Sequence, residues 1–290
     1  MHEMNFKNTL LPTTFSINCR GKLRVLDKPV VMGVLNITDD SFYAGSRHSD
    51  LQETAEKALQ MMEEGAMFLD IGGQSTRPGA RHLEAGEEAD RILPVIEKIL
   101  QHQPDAILSA DTFHAPVARQ AVEQGVAIIN DISAGDMDPA MIPTAAALKV
   151  PFIAMHMQGR PQTMQHHPVY ENVVTEVLDY FIHKTAMLKE AGIHDIIIDP
   201  GFGFGKNLAH NYTLLKHFGD FRITGCPLLA GLSRKSMIYK LLGNRPEDAL
   251  NGTTALHMLA LQQGARILRA HDVRQACETI RLWDFYQQQG

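Results

Sequence analysis

Where short apolar runs of this sequence give way to polar loops, groups able to hold an anion and a flat heterocycle collect. Arg77, Lys235, Arg269 and His271 supply cationic donors, and arginine offers planar, bidentate recognition of phosphate or pyrophosphate oxygens. Asp111, Asn130 and Asp199 supply carboxylate and amide groups. A buried carboxylate can accept two parallel N–H bonds from a 2-aminopyrimidinone edge, and amides answer the remaining donors and acceptors. Such a site discriminates well, because a ligand lacking those N–H groups would strand a buried charge. Taken singly, an Asp or Asn at such a position reads as a helix cap or turn residue. All eight apolar runs end in polar residues, and part of that pattern only reflects chain leaving a core. The chemical sorting into cations and acceptors is the sharper signal.

Several familiar motifs fail. Gly201-Phe-Gly-Phe-Gly-Lys206 would need glycine at Lys206 or Leu208 to complete GxGxxG. A Walker A loop would need glycine at Pro200 and Ser or Thr at Asn207. Gly231-Leu-Ser-Arg-Lys235 is not a GxSxG elbow. The His166-His167 pair has no partner at zincin spacing and reads as solvated loop.

The elements that must position these groups repeat regularly. Runs of four to eight nearly apolar residues, the pattern of strands covered on both faces, occur at Val30–Asn36, Met67–Ile71, Ala106–Asp111 and Val126–Asn130. Four more follow at Pro151–His156, Asp195–Asp199, Pro227–Gly231 and Ala265–Ala270. Between them lie segments of helical period. Residues 50–64 carry Leu51, Ala55, Ala58, Leu59 and Met62 on one face, with Ser49 expected as N-cap and Gly65 as terminator. Pro139 and Pro246 read as first-turn prolines, a long helix is expected between Pro168 and Gly192, and Asp272 is placed to cap the last helix. Eight strand–helix repeats in about 250 residues predict an α/β (β/α)8 TIM barrel. A doubly wound open sheet is the competing arrangement. Residues 14–26 read as a β-hairpin turning at Arg20-Gly21 and closing the barrel floor. Without a linker or composition shift, 1–290 is one domain, a hairpin extension over 1–29 followed by a barrel over 30–290.

Composition bounds the function. The 290 residues hold 27 Lys+Arg against 33 Asp+Glu, a net charge of −6, with 44% hydrophobic and 21% charged residues. This is a globular composition, not a disordered one. The mild acidity argues against nucleic-acid binding, which needs a basic face. No apolar run approaches the ~20 residues that span a bilayer, and the opening MHEMNFKNTL has no signal-peptide core. Cys19, Cys226 and Cys277 are scattered without a CxxC, so neither a disulfide framework nor a zinc site is expected, and a reducing cytoplasm fits.

The polar strand ends resemble those of one family, dihydropteroate synthase, in its stand-alone bacterial form. The matching segments are MGVLNITDDSF (32–42), DIGGQSTRPGA (70–80), AMHMQGRPQTM (154–164), IIDPGFGFGKN (197–207), GLSRKSM (231–237) and RAHDV (269–273). The resemblance implies a TIM barrel that joins 6-hydroxymethyl-7,8-dihydropterin pyrophosphate to p-aminobenzoate. It assigns Asp111, Asn130, Asp199 and Lys235 to the pterin, and Thr76, Arg77, Arg269 and His271 to the pyrophosphate. Asn36 would help place pyrophosphate and its Mg2+, the expected cofactor. Phe204, Pro78 and Ser236 would shape the p-aminobenzoate and sulfonamide site, with Phe42 closing over it. Asp111, Lys235, Arg269, His271 and Asn36 are the expected catalytic set, stabilising a dissociative departure of pyrophosphate, and a homodimer is the expected assembly. Three positions depart from the family pattern: Asp39 where proline is usual, Ala44-Gly45 where an Asp-Gly pair is usual, and Gln74 where glutamate is commoner. Two other readings are a pterin-binding methyltransferase, disfavoured by Ser233-Arg-Lys-Ser236 and Arg269-Ala-His271, and a non-catalytic pterin-binding paralogue.

Overall fold

The computed structural model describes residues 14–37, 47–74, 81–159, 164 and 168–289. The expectations for Asp39, Phe42, Ala44-Gly45, Thr76, Arg77, Pro78 and His166-His167 lie outside these residues. The chain opens with the expected hairpin, β1 (Phe15–Cys19) antiparallel to β2 (Lys22–Leu26), pairing Cys19 with Lys22. Arg20 and Gly21 have φ of 54° and 79°, the pair of positive values that matches a two-residue turn to strand twist.

All eight apolar runs form parallel strands, most of them shorter than the runs. They are β3 (Val30–Asn36), β4 (Ala66–Gly72), β5 (Leu108–Asp111), β6 (Ile128–Asp131), β7 (Phe152–Met155), β8 (Ile196–Asp199), β9 (Leu229–Ala230) and β10 (Ile267–Ala270). Their order is β8-β7-β6-β5-β4-β3-β10-β9, and a parallel bridge between Ile198 and Leu228 joins the two ends. The sheet therefore closes into a TIM barrel, and an open doubly wound sheet is excluded. Nine helices lie between and after the strands among the described residues: α1 (Arg47–Glu63), α2 (Ala85–His102), α3 (Ala115–Gln124), α4 (Met141–Leu148), α5 (Val173–Glu190), α6 (Leu208–Lys216), α7 (Ser236–Leu242), α8 (Leu250–Gln262) and α9 (Val273–Gln287). None is long and apolar enough to cross a membrane.

Three helix-end expectations are corrected. Helix α1 begins at Arg47, so Ser49 falls inside its first turn and is not the N-cap. Helix α4 begins at Met141 after Ala140, leaving Pro139 ahead of the helix. There Asp138 accepts from the backbone N–H of both Ala115 and Ala140. Asp272 occupies the N-cap position of α9 without a side-chain cap bond, because Arg234 takes both of its oxygens at 2.8 Å. Pro246 does open a helix, a three-residue 3-10 turn ahead of α8.

Side chains alternate along each strand, and that period divides the packing. One set faces the helices. The other forms a floor inside the barrel, where Met32, Phe68, Ile128, Ile153, Ile197, Leu229 and Ile267 meet Ile17, Cys19 and Leu26 of the hairpin. The hairpin thus seals the amino-terminal end and gives the interior a dry base. Phe68 is fully buried in that layer. Phe68→Ala should therefore lower unfolding stability by about 3–5 kcal/mol, read from urea denaturation, with the barrel's far-ultraviolet signature retained below the transition.

Candidate active site

Two residues beyond five of the floor side chains, the same inward face changes character. Phe68 is followed by Asp70, Ile128 by Asn130, Ile197 by Asp199, Leu229 by Gly231 and Ile267 by Arg269. These positions stack a polar layer on the apolar one, still inside the barrel: Asp70 is 2% exposed, Asn130 and Asp199 0%, and Arg269 8%. Arg269 spans the layer. Its Nη1 lies 3.5 Å from Asp70 Oδ2 and its Nη2 3.2 Å from Asp199 Oδ2. Gly231 makes room, since a Cβ there would stand 3.1 Å from Arg269 Nη2 and 3.3 Å from Asp199 Oδ2.

Asn130 donates to Asp70 Oδ2 at 2.8 Å, and Asp199 Oδ1 accepts from Gly201 N at 2.8 Å. That leaves Asn130 Oδ1 as a buried acceptor without a hydrogen-bond donor among the described residues, Asp70 with the Ser109 hydroxyl as its remaining neighbour, and Asp199 Oδ2 facing the guanidinium. Buried polar atoms are normally satisfied, so this row of acceptors suits a ligand that brings N–H groups.

Above the row opens a cleft of about 810 Å3, walled by Asn36, Asp111, Phe204, Lys235, Arg269 and His271 among others. Six of the expected site residues are therefore gathered at one mouth, with Asn130 and Asp199 buried just below. Ser236 opens α7 next to Lys235 but does not line the cleft. The Lys235 amine donates to the Phe202 carbonyl and lies 4.9 Å over the Phe204 ring. Asn36 ends β3 and is exposed. Among the described residues no three His, Cys, Asp or Glu side chains gather as a metal site. Asn36 therefore fits only the sparse protein ligation of a Mg2+ that keeps waters and substrate phosphate oxygens.

The electrostatics refine the expected charges. Burial pushes Asp111 well above the ordinary carboxylate range, reinforced by the charge of Asp70 and opposed by Arg269. Burial likewise raises Asp70, against the pull of Arg269. Burial works against the Arg269 charge, but Asp199, Asp70 and Asp111 outweigh it and hold the guanidinium protonated. Lys235 is pushed down to about 7 by burial, with Asp199 opposing and Arg269 assisting. His271 is pushed down to about 4, chiefly by burial. The ring is nevertheless exposed at the mouth, where an arriving anion would favour its protonated form; its Nδ1 meets Ser233 Oγ at 3.1 Å.

Two buried carboxylates of the polar strand ends are separated by their partners. Asp131 accepts from Ser133 N, Ser133 Oγ and Gly135 N, so it shapes the turn after β6 and is not a ligand group. Asp70, by contrast, belongs to the site and was not assigned a role from sequence. The available signal was its spacing, two residues after a floor phenylalanine. Arg234 was also missed. Besides Asp272 it holds the carbonyls of Pro246 and Glu247, fixing the turn that presents Lys235. Gln74 donates to Leu83 O at 3.0 Å and accepts from Leu83 N at 3.1 Å. A glutamate there would set an oxygen against the Leu83 carbonyl, so the amide is what allows both bonds.

The family model described as "Pterin binding enzyme" matches residues 32–271. Dihydropteroate synthase of Escherichia coli (strain K12) is 44% identical over 259 residues, covering 89% of this chain and 91% of that protein. The chain belongs to the dihydropteroate synthase family. The Haemophilus influenzae dihydropteroate synthase is 42% identical over 260 residues, with 89% and 94% covered. Among solved structures, Xanthomonas albilineans dihydropteroate synthase with 4-aminobenzoic acid superposes with a TM-score of 0.88 at 41% identity, covering 95% of this chain and 99% of that one. A Yersinia pestis dihydropteroate synthase with a sulfonamide drug does so at 0.88 and 41%, covering 94% and 99%.

Because Arg269 is the cation between Asp70 and Asp199, Arg269→Met should cost about 3–5 kcal/mol at pH 8, the usual penalty for stranding a buried charge. The stranded carboxylates would have folded-state proton affinities raised above the unfolded values. Their destabilisation is therefore absent at low pH and grows as pH rises through the raised values. Denaturation at pH 5 should show a clearly smaller deficit than at pH 8; an equal deficit at both would count against the buried-charge account.

Proposed function

We propose that the cleft condenses 6-hydroxymethyl-7,8-dihydropterin pyrophosphate with p-aminobenzoate, giving 7,8-dihydropteroate and pyrophosphate. The observation that carries this reading is the buried acceptor row formed by Asp70, Asn130 and Asp199, set beneath a mouth that holds Lys235, Arg269 and His271. A pterin edge rich in N–H groups enters the row while its pyrophosphate remains at the mouth. This orientation is supported by charge as well as shape, since the reverse would place an anion against carboxylates. Thr76 and Arg77 are proposed to complete the anion site, and Phe204, Pro78, Ser236 and Phe42 the p-aminobenzoate site. Sulfonamides are the inhibitors proposed to compete there, as the Yersinia pestis complex supports.

The reacting centre is a methylene on an electron-rich pterin. Its C–O bond breaks with the electron pair leaving on pyrophosphate, Arg269, Arg77 and His271 donating to the departing oxygens. Asp111, adjacent on β5, offsets the positive charge that develops on the pterin-methyl group. The neutral arylamine nitrogen then forms the C–N bond and releases a proton, so the protein orients and stabilises without supplying a nucleophile. Asn36 would help hold a Mg2+ at the mouth, which would supply further charge neutralisation. We infer a homodimer, for which exposed Leu208, Leu241, Leu242 and Leu259 on α6, α7 and α8 provide apolar surface. The cytoplasm is the compartment that the three free cysteines support.

A turnover assay with both substrates and Mg2+, following pyrophosphate and dihydropteroate, tests the reading. Wild type should turn over, and Asp199→Asn should lose at least about a hundred-fold in kcat/KM, the scale of a lost preorganised group. Wild type that binds the pterin but releases no pyrophosphate would favour the non-catalytic paralogue. Release with no p-aminobenzoate requirement would remove the condensation.

Lys235 gives an independent check. With its proton half lost near pH 7, the amine is mostly neutral at pH 8. A bound anion and pterin acceptor favour the ammonium, so binding at pH 8 should take up most of one proton. Calorimetry in two buffers of different ionisation enthalpy should show this uptake, and Lys235→Met should abolish it.

A further inference from the structure

The glycine-rich run after β8 fails as a nucleotide loop, yet its closing lysine is only 2% exposed, a rare place for this side chain. Lys206 Nζ stands 2.9 Å from Phe204 O, 3.1 Å from Gly201 O, 3.3 Å from His156 O and 2.9 Å from His156 Nδ1. Its acceptors thus come from two segments, the loop itself and the end of β7. The loop is pressed flat onto that strand end. Gly201 and Gly205 have φ of +69° and +60°, and a Cβ on them would lie 2.0 Å from His156 O and 2.3 Å from Gln158 O.

The residues between the glycines point apart. Phe202 enters the core and stacks on Phe218 at 6.0 Å. Phe204 turns toward the cleft among Ile132 and Met155. On the cleft side Lys235 donates to Phe202 O and rides over the Phe204 ring. The loop is a thin shelf with a lysine on each side.

We propose that Lys206, braced against His156, is a positioning residue for the arylamine half of the site, fixing the shelf that aims Phe204 into the cleft. The inference rests on the synthase reading, in which Phe204 and Lys235 meet the substrates. Lys206 itself faces four acceptors on the buried side and is absent from the cleft wall. It acts through hydrogen bonds to those acceptors. Burial drives its proton affinity well below the ordinary lysine value, Asp199 opposing and Lys235 assisting. The acceptor row of Asp70, Asn130 and Asp199 belongs to the strands below, so loss of the brace should reach the two substrates unequally.

Kinetics with both substrates and direct titration of the pterin pyrophosphate decide this for wild type, Lys206→Met, Lys206→Gln, Phe204→Leu and the Lys206→Met/Phe204→Leu double variant. Lys206→Met should melt as a folded protein, raise KM for p-aminobenzoate ten-fold or more, lower kcat, and leave the pterin Kd within three-fold. Lys206→Gln should recover part of that loss, because its amide returns two protons to the carbonyls. The double variant should lose less than the product of the single losses, as expected for residues acting through one contact. Equal weakening toward both substrates, unchanged kinetics in a folded Lys206→Met, or strictly multiplicative losses would overturn the proposal. Should Lys206→Met not fold, His156→Leu removes one acceptor and keeps three carbonyls, and the same substrate asymmetry is required of it. Wild type without turnover would instead sink the synthase reading, and the inference with it.

Discussion

A guanidinium placed between two carboxylates inside a barrel is costly to build, because each charge must leave water before the others can repay it. Arg269 bridges Asp70 on β4 and Asp199 on β8 at 3.5 and 3.2 Å, and much of the surrounding architecture serves that contact. The hairpin and the floor residues keep water from below. Gly231, with no side chain, leaves the volume that the guanidinium occupies. Strand closure through the short β9 brings Asp199 and Arg269 near enough to pair. Replacing the triad with apolar residues would give a more conventional core, and it would also erase the acceptors that the cleft presents.

Layering follows from the two-residue period of strands. A side chain two positions past the floor must point into the same interior, and it is there that the chain changes from Phe, Ile and Leu to Asp, Asn and Arg. Polar groups one residue earlier or later would face the helices and serve as turn formers or caps. Asp131, next to Asn130, shows the difference: its oxygens are consumed by Ser133 and Gly135, while Asn130 keeps an acceptor without a donor among the described residues.

This period explains what could be read in advance. The eight strands, the hairpin and most of the cleft were legible because apolar runs and polar strand ends are local patterns. The resemblance to one family then supplied roles for residues that spacing alone left as turn formers. Asp70 escaped because its spacing after a floor phenylalanine shows only that it faces inward, while its place in the site depends on a partner 199 positions away. Asp272 looked like a helix cap until Arg234, 38 residues distant, claimed both oxygens. In each case the competing interaction was long-range and stronger than the local one.

The arrangement also orders charge along the depth of the barrel. Acceptors lie at the bottom of the interior, the guanidinium crosses between them, and donors with adjustable protonation stand at the rim. A ligand with a donor-rich head and an anionic tail gains from both ends in one orientation only. Reversed, it would bring its anion against Asp70 and Asp199 and leave the acceptors unsatisfied. The rim groups are the ones held near or below neutrality, Lys235 at about 7 and His271 at about 4. The Lys235 charge can therefore respond to the arriving anion and does not stand permanently in the field of Arg269. A fixed second cation in that position would repel the guanidinium on which the interior depends.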